Sequence, residues 1–398
     1  MNILLLHNRY RQRGGEDACV EAHQRLLQSL GHRVCLMEAD NHAIHGGLAI
    51  AKTGIQAVYA REWTRHVARE IRAVVPDLVH IHNTFPLLSP AVILTCKEAG
   101  LPVVHTFHNY RLCCPAGSLF RNHQVCEACL GRRFAWPGVL HGCYRGSRLG
   151  TAAVSLAYGV HRWLRTYSRH VDLAIALTEF AKARLAGAGF PSAKMAVIPN
   201  WLEPDPGVGR GEGGYFLFVG RIAEEKGVRT LLRAWERPSG RAPLLIVGTG
   251  PLENSLRPLS PPGVVWLRQQ PAEEVIRLMQ KASALILPSE CFENFPRTIV
   301  EAFSAGTPVI ASRLGSLEEI VEHQVTGLHF EAGDPGQLAE ATAWLVEHPR
   351  HRREMRAAAR ARYEARYTAA RVLPLLSEAY ARAMQRPAST HSLSAITA

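Results

Sequence analysis

Residues 284–311 read ALILPSECFENFPRTIVEAFSAGTPVIA. Ala284–Leu287 is a short strand, and every residue in it is apolar. A strand with one wet face would alternate; a continuous apolar run predicts burial on both faces. A loop follows. Pro296 then suits the first turn of a helix, where its missing N–H costs nothing. Arg297–Ala305 has helical character, and Gly306 suits the helix end. Val309–Ala311 is a second apolar strand. Strand, helix and strand in this order make a βαβ unit, whose strands run parallel with helices covering the sheet.

The same grammar extends in both directions. Upstream lie the apolar runs Tyr215–Gly220, Leu244–Val247 and Val264–Leu267, with helical stretches Val228–Trp235 and Ala272–Lys281. Before them, residues 199–214 read PNWLEPDPGVGRGEGG, a Pro- and Gly-rich linker composition. Ahead of the linker the pattern occurs once more. Its strands are Ile3–Leu6, Val34–Met37, Leu78–Ile81, Val103–Thr106, Leu173–Leu177 and Ala196–Ile198, with helices such as Ala18–Leu30 and Trp63–Val74. The expected architecture is α/β: two doubly wound, Rossmann-like domains, residues 1–200 and 215–385, facing a cleft. Gln337 to about Met384 is expected to be helical, and the tail 386–398 frayed.

The chain has 398 residues, 47% apolar and 20% charged. That fits a folded multidomain globule and excludes global disorder. No apolar run approaches the ~20 residues of a spanning helix. The start, Met1-Asn-Ile-Leu-Leu-Leu-His7, lacks the basic n-region and long apolar stretch of a signal peptide, so the expected location is cytoplasmic. Residues 1–200 carry 23 Lys and Arg against 12 Asp and Glu, so nearly all of the net charge of +12 lies in the first half. So do 14 of the 19 histidines. This skew suits an anionic partner such as a membrane surface, a phosphorylated substrate or a nucleic acid. It equally suits an Arg-rich protein with no such partner.

Four motifs sit where strands end. Glu293 lies in the loop after Ala284–Leu287, and Glu301 within the next helix. Two such carboxylates can accept hydrogen bonds from hydroxyl pairs, and the helix N-terminus between them faces any phosphate. Val219-Gly220-Arg221 and Lys226-Gly227 place two cations five residues apart, a layout for a diphosphate. Gly248-Thr-Gly250 is a glycine turn without the third glycine of a dinucleotide fingerprint. Arg13-Gly14-Gly15-Glu16 opens the first helix and leaves room for a phosphate or a sugar.

In this order, with His108, these motifs resemble the retaining glycosyltransferases of family 4, enzymes with the GT-B architecture. The resemblance covers residues 1 to about 385 and is most specific over 284–312. It implies a hexosyl-type transferase with a nucleotide-diphosphate sugar as donor. By the same resemblance Glu301 binds the ribose, and Glu293 the donor sugar beside Asn294, Phe295 and Pro296. Arg221 and Lys226 bind the diphosphate. Gly14, Gly15, Gly220, Gly248 and Gly250 line the donor site, and His108 contacts the sugar. The sequence contains no Asp-x-Asp metal motif. Fixed cations at the leaving oxygen can take a metal's place, so no cofactor is expected for the chemistry.

The first half carries further candidates. In Asp77-Leu-Val-His80-Ile-His82-Asn83, alternate spacing puts His80 and His82 on one side. His80 suits a packed, hydrogen-bonded core position; His82 and Asn109 are candidates for acceptor contact. Cys114, Cys126, Cys129 and Cys143 have the spacing C-x11-C-x2-C-x13-C inside an insert at about 113–143. The set is sufficient for a structural zinc, and equally compatible with packed reduced thiols. Arg145–His170 holds Arg145, Arg148, Arg162, Arg165 and Arg169 among apolar residues. It suits either an anionic membrane surface, with a lipid-linked acceptor, or an amphipathic helix packed on its own domain with a solvated basic face.

Two rival functions remain at this point. A GT-B nucleotide-sugar epimerase would need no acceptor. A zinc-stabilised nucleic-acid-binding protein would show salt-sensitive binding, but aromatic residues are sparse and no nucleic-acid motif is present. The leading expectation is a glycosyltransferase acting on a saccharide or lipid-linked acceptor in surface polysaccharide or glycoconjugate synthesis, cytoplasmic and peripheral at the inner membrane face.

Overall fold

The computed structural model describes residues 1–11, 14–43, 54, 56–237 and 242–385. Arg13 and the tail 386–398 lie outside the described residues. In chain order the strands are β1 (Asn2–Arg9), β2 (Arg33–Asp40), β3 (Leu78–Ile81), β4 (Val103–Thr106), the short pair β5 (Phe120–Arg121) and β6 (Gln124–Val125), β7 (Leu173–Ala176) and β8 (Met195–Val197). After the linker come β9 (Phe216–Val219), β10 (Leu244–Val247), β11 (Val264–Arg268), β12 (Ala284–Leu287), β13 (Val309–Ser312) and β14 (Gly327–Phe330).

Two six-stranded sheets result, ordered β2-β1-β3-β4-β7-β8 and β11-β10-β9-β12-β13-β14, and every pairing in them is parallel. The fold is therefore the expected α/β pair of Rossmann-like domains. Each sheet reverses direction of growth once: between β1 and β3 in the first, between β9 and β12 in the second.

The apolar runs are explained by which face each side chain takes. Leu4 and Leu6 of β1 pack with Val67, Ile71 and Val92, from the helices Arg61–Val74 and Ala91–Glu98. Ile3 and Leu5 point the other way, onto Leu26 and Leu27 of the helix Gly15–Ser29. In the second sheet Leu285 and Leu287 meet Ile299 and Phe303, while Ala284 and Ile286 meet the cluster of Leu231 and Trp235. Leu285 is fully buried, so Leu285→Ala costs roughly 2–5 kcal/mol.

Three features differ from the sequence reading. β14 was not foreseen, because Gly-Leu-His-Phe has no periodic signal of its own; its place comes from pairing with β13. The C-terminal stretch is three helices, Pro335–Glu347, Pro349–Arg366 and Ala369–Met384, broken around His348 and at Tyr367 and Thr368. The last was expected to belong to the second half. Its Val372, Leu376 and Tyr380 instead join Ile3, Leu5 and Val104 in the core of the first.

The linker is also less free than its composition suggests. Arg356 is buried and donates to the carbonyls of Ala282 (3.1 Å) and Gly209 (2.8 Å). Burial lowers its guanidinium to about 10, with Arg352 adding to the effect. This buried cation fastens residue 209 to the second domain.

Candidate active site

In open parallel sheets, ligands bind beyond the carboxyl ends of the strands where the order reverses. Here the carboxyl ends of the two sheets face one another. Asn294 Nδ2, after β12, donates to the Phe107 carbonyl after β4 at 2.8 Å. Tyr110 Oη donates to the Glu293 carbonyl at 3.0 Å, and Asn200 Nδ2 to the Phe295 carbonyl at 3.2 Å. The loop that carries Glu293 is thus held against the loop that carries His108.

On the second-domain side, Glu293 Oε1 accepts from both Lys226 Nζ and Ser289 Oγ at 2.6 Å. Burial alone would raise the Glu293 carboxyl. The adjacent ammonium and the two hydrogen bonds outweigh it, and the group lies below its ordinary range. Lys226 is the mirror case: burial opposes its charge, and Glu293 holds its pKa above the usual value. Close backbone approach makes this pair possible. Gly227 has φ +65°, and a Cβ there would sit 1.8 Å from the Pro288 carbonyl oxygen. Only glycine brings Lys226 this near the Ser289 loop. Arg221 is exposed and hydrogen-bonds Glu225.

Glu301 lies one turn into the helix Arg297–Ser304, 3.7 Å from the Arg297 guanidinium. Burial pushes its carboxyl up, with Arg297 opposing. The helix has Pro296 at its N-cap and no side-chain cap. Across the cleft from it stands the glycine turn: a Cβ on Gly15 would meet Arg297 Cδ at 3.7 Å. The sequence reading missed Arg297, although it stands inside the most specific motif. A basic residue directly after Pro296 was the available signal.

On the first-domain side, Asp17 fixes the glycine turn. Its carboxylate accepts from the Gly14 amide at 2.8 Å and is hydrogen-bonded by His7 Nε2 at 2.9 Å. His82 Nδ1 and His108 Nε2 share a hydrogen bond of 2.9 Å, while the buried His82 Nε2 has no protein partner. Burial, reinforced by neighbouring imidazoles, holds both rings well below the usual histidine pKa, so both are neutral at pH 7. Asn109 accepts from the Arg111 amide at 3.0 Å and donates to Tyr10 Oη at 3.4 Å. His80 is fully buried, and each ring nitrogen has a hydroxyl partner, Tyr380 and Thr106, at 2.8 Å. That is the packed position expected of it.

Several expected site residues act through the chain rather than from the open cleft. Gly248 has φ +134°, and a Cβ there would lie 1.9 Å from the Gly220 carbonyl oxygen; at Gly250 the distance to the Ile222 oxygen is 2.3 Å. These glycines let two strand ends pack on each other. Phe295 is buried against Tyr367, with ring centroids 5.7 Å apart.

Cys114, Cys126, Cys129 and Cys143 are free thiols, and they are not drawn into a closed ligand shell. Among the described residues, the one group of potential metal ligands whose donor atoms all lie within 4.8 Å of one another is His23, His80 and His82. Arg162 also departs from expectation. It turns inward to the carbonyls of Arg132 and Leu112.

Comparison with known proteins agrees with this geometry. Residues 14–205 match the model for Glycosyltransferase Family 4, and residues 205–362 that for Glycosyl transferases group 1. The fold and the facing strand ends define a GT-B glycosyltransferase. Among families, the chain belongs to the family 4 glycosyltransferases. An uncharacterized glycosyltransferase of Methanocaldococcus jannaschii is 34% identical over 130 residues, 31% of this chain and 33% of that relative. A glycogen synthase of Mycobacterium tuberculosis is 26% identical over 352 residues, 81% of this chain and 70% of that enzyme. The structure of HepE from Anabaena, solved in complex with UDP, superposes with a TM-score of 0.67 at 17% identity, covering 96% of this chain and 100% of that one.

Proposed function

We propose that this glycosyltransferase moves a sugar from a nucleoside-diphosphate sugar to a hydroxyl of a saccharide or lipid-linked acceptor, retaining the anomeric configuration and using no metal in the chemistry. The observation that carries the reading is the Lys226–Glu293–Ser289 cluster, held across the domain boundary by Asn294 and Tyr110. The UDP bound to HepE and the activity named for the glycogen synthase support the donor class.

In this reading, the bond from the anomeric carbon to the diphosphate oxygen breaks while the acceptor oxygen bonds to that carbon from the same face. The acceptor's proton passes to the leaving phosphate. Arg221, Lys226 and the N-terminus of Arg297–Ser304 stabilise charge on the departing diphosphate. Glu293 orients sugar hydroxyls and Glu301 binds the ribose. His108, neutral, hydrogen-bonds the donor sugar. The test is nucleotide release from UDP-, GDP-, ADP- and TDP-sugars, with Glu293→Ala and Arg221→Ala beside the wild type. Turnover of one donor, lost in both variants, is expected; binding of no donor would overturn the reading. An acceptor requirement for full turnover separates transfer from epimerisation.

An anionic membrane surface is the second proposed partner. On the helix Arg148–Trp163, Leu149, Leu156 and Trp163 recur every seven residues, with 86%, 53% and 79% of their surface exposed. The outward face is therefore apolar, with the exposed Arg145, Arg148, Arg165 and Arg169 around it. That combination suits shallow insertion among acidic headgroups. No helix among the described residues is long and apolar enough to cross a membrane. Co-sedimentation with phosphatidylglycerol vesicles, reduced by Leu156→Ser with Trp163→Ser and absent on phosphatidylcholine, is the expected result.

The cysteine segment is proposed to hold a structural zinc. Cys143 N–H donates to the Gly138 carbonyl at 3.1 Å, and a Cβ on Gly138 would lie 3.5 Å from Cys129 Sγ. Burial pushes the Cys129 thiol up to about 11; the Gly138 amide opposes, and Cys114, Cys143 and Cys126 add to the rise. A bound cation would draw the four thiols together. Elemental analysis should find one zinc per chain, lost in Cys126→Ser with Cys129→Ser; a zinc-free folded protein would contradict it.

A further inference from the structure

The cysteine-rich insert of the first domain reaches across the cleft. Its strands β5 and β6 pair antiparallel, Phe120 with Val125 and Arg121 with Gln124, which leaves Asn122 and His123 as a two-residue turn. Both residues take positive φ, +51° and +60°. Turns of this kind match the twist of a hairpin, and asparagine followed by glycine is their favoured sequence. A Cβ disfavours that backbone, so a histidine in the glycine position calls for a reason in its side chain. The reason stands in the other domain. His123 Nδ1 is 3.1 Å from Glu224 Oε1, an ion pair when the imidazole carries its second proton. Glu224 begins the short turn Glu224–Lys226, between Arg221 and Lys226, and its Oε1 also lies 3.0 Å from Arg229 Nε.

A second contact comes from further along the insert. Glu127, between Cys126 and Cys129, pairs with Arg184 of the helix Glu179–Gly187. The Arg184 guanidinium lies over two rings, 4.4 Å from the centroid of Phe180 and 5.3 Å from that of Phe292. Phe292 directly precedes Glu293. The insert therefore touches one second-domain loop directly and a second through a single arginine. Those two loops carry Lys226 and Glu293, the pair joined at 2.6 Å.

We propose that the insert is a strap across the cleft and that His123 is a positioning residue for the donor, holding the Arg221–Lys226 loop against the first domain. The inference rests on the transferase reading and deepens it. Lys226 is already fixed by Glu293, whereas Arg221 is exposed and pairs only with Glu225 of its own loop. A loop tied at one end must be ordered at the other when the diphosphate binds, and that ordering weakens binding. A tie at Glu224, between the two cations, removes part of the loss. The His123–Glu224 pair leaves 64% and 30% of its side-chain surfaces exposed, so the effect is modest, about two- to fivefold in donor affinity.

The test measures nucleotide release by the full chain from the donor that the wild type turns over. His123→Gly is the decisive variant, because Asn-Gly suits the turn better than Asn-His. Its melting temperature should be no lower than that of the wild type. Its donor KM should rise about two- to fivefold with kcat unchanged, the pattern of lost ground-state binding. Glu224→Gln should raise the donor KM by a similar factor. The double variant should add nothing to the larger single effect, because both changes remove one contact. His123→Lys, which returns a cation to the turn, should recover part of the loss. An unchanged donor KM in His123→Gly, or additive effects in the double variant, would overturn the proposal. So would a raised KM together with a lower melting temperature, which would place His123 in the stability of the hairpin itself. Wild-type protein that turns over no nucleotide sugar is a different failure: it removes the transferase reading, and this inference with it.

Discussion

The two halves solve the same problem with sheets of different order, and they furnish the reversal points differently. At the second, the charged groups already have partners: Lys226 and Ser289 on Glu293, Arg297 near Glu301, Arg221 on Glu225. At the first, three buried polar atoms lack partners, His82 Nε2, Glu16 Oε1 and Arg111 Nε, against one at the second, Asn294 Oδ1. A site whose charges are fixed in place before binding suits a ligand part that never changes, such as a nucleoside diphosphate. A site with orphaned donors and acceptors is complete only with its own particular ligand. We propose from this comparison that the second half supplies most of the donor chemistry and the first half the acceptor choice.

The sharpest way to break this assignment is Lys226→Ala. It removes a cation from the leaving group and leaves Glu293 buried beside a vacancy. A loss of about 10²–10³ in kcat is expected, the size seen when one fixed electrostatic stabiliser is removed. A loss below tenfold would show that the second half is not the preorganised side.

Acid should then separate the halves. Burial lowers His23 to about 4 and His105 to about 3, from an ordinary 6.5. Depressed histidines mean that the unfolded chain binds more protons below pH 6.5. Their contribution is fully present above that pH and is lost as pH falls through the folded values. For His23 alone the effect reaches about 3 kcal/mol. In the second half, Glu293 is depressed too, but from 4.5, so its contribution is lost only in stronger acid. Hydrogen exchange at pH 5 should find protection falling in β1, β3 and β4 before β9 and β12. Equal loss in both would contradict the contrast.

A smaller effect is expected where the halves touch. Asn294→Ala removes the 2.8 Å bond to the Phe107 carbonyl and frees one end of the Glu293 loop. Stability should fall by about 1 kcal/mol, and the donor KM should rise severalfold with the acceptor KM unchanged. A change confined to the acceptor would place this loop on the wrong side of the comparison.

The same contrast explains what could be read in the sequence. The strands were legible because burial on both faces leaves largely apolar runs; β3, β4, β10 and β12 fall on the expected residues. The second-half motif was legible because its residues lie close together along one βαβ unit. The first-half site was not. Tyr10 and Glu16 are distant in sequence from Asn109 and Arg111, and the two pairs meet only when β1 and β4 lie in one sheet. The final helix was assigned to the wrong half for a related reason: helical periodicity shows that a face is apolar, not which sheet it will cover. Gly248 and Gly250 are expected to line the donor site; what the structure shows at them is close approach to the Gly220 and Ile222 carbonyls of the neighbouring strand end.

The central claim is that one donor site spans both reversal points. The direct measurement is hydrogen exchange with and without the nucleoside diphosphate of the donor identified by turnover. Simultaneous protection of the glycine turn at 14–17 and of the loop and helix start at 289–299 is expected. Protection confined to one half, or absent from both, would contradict it.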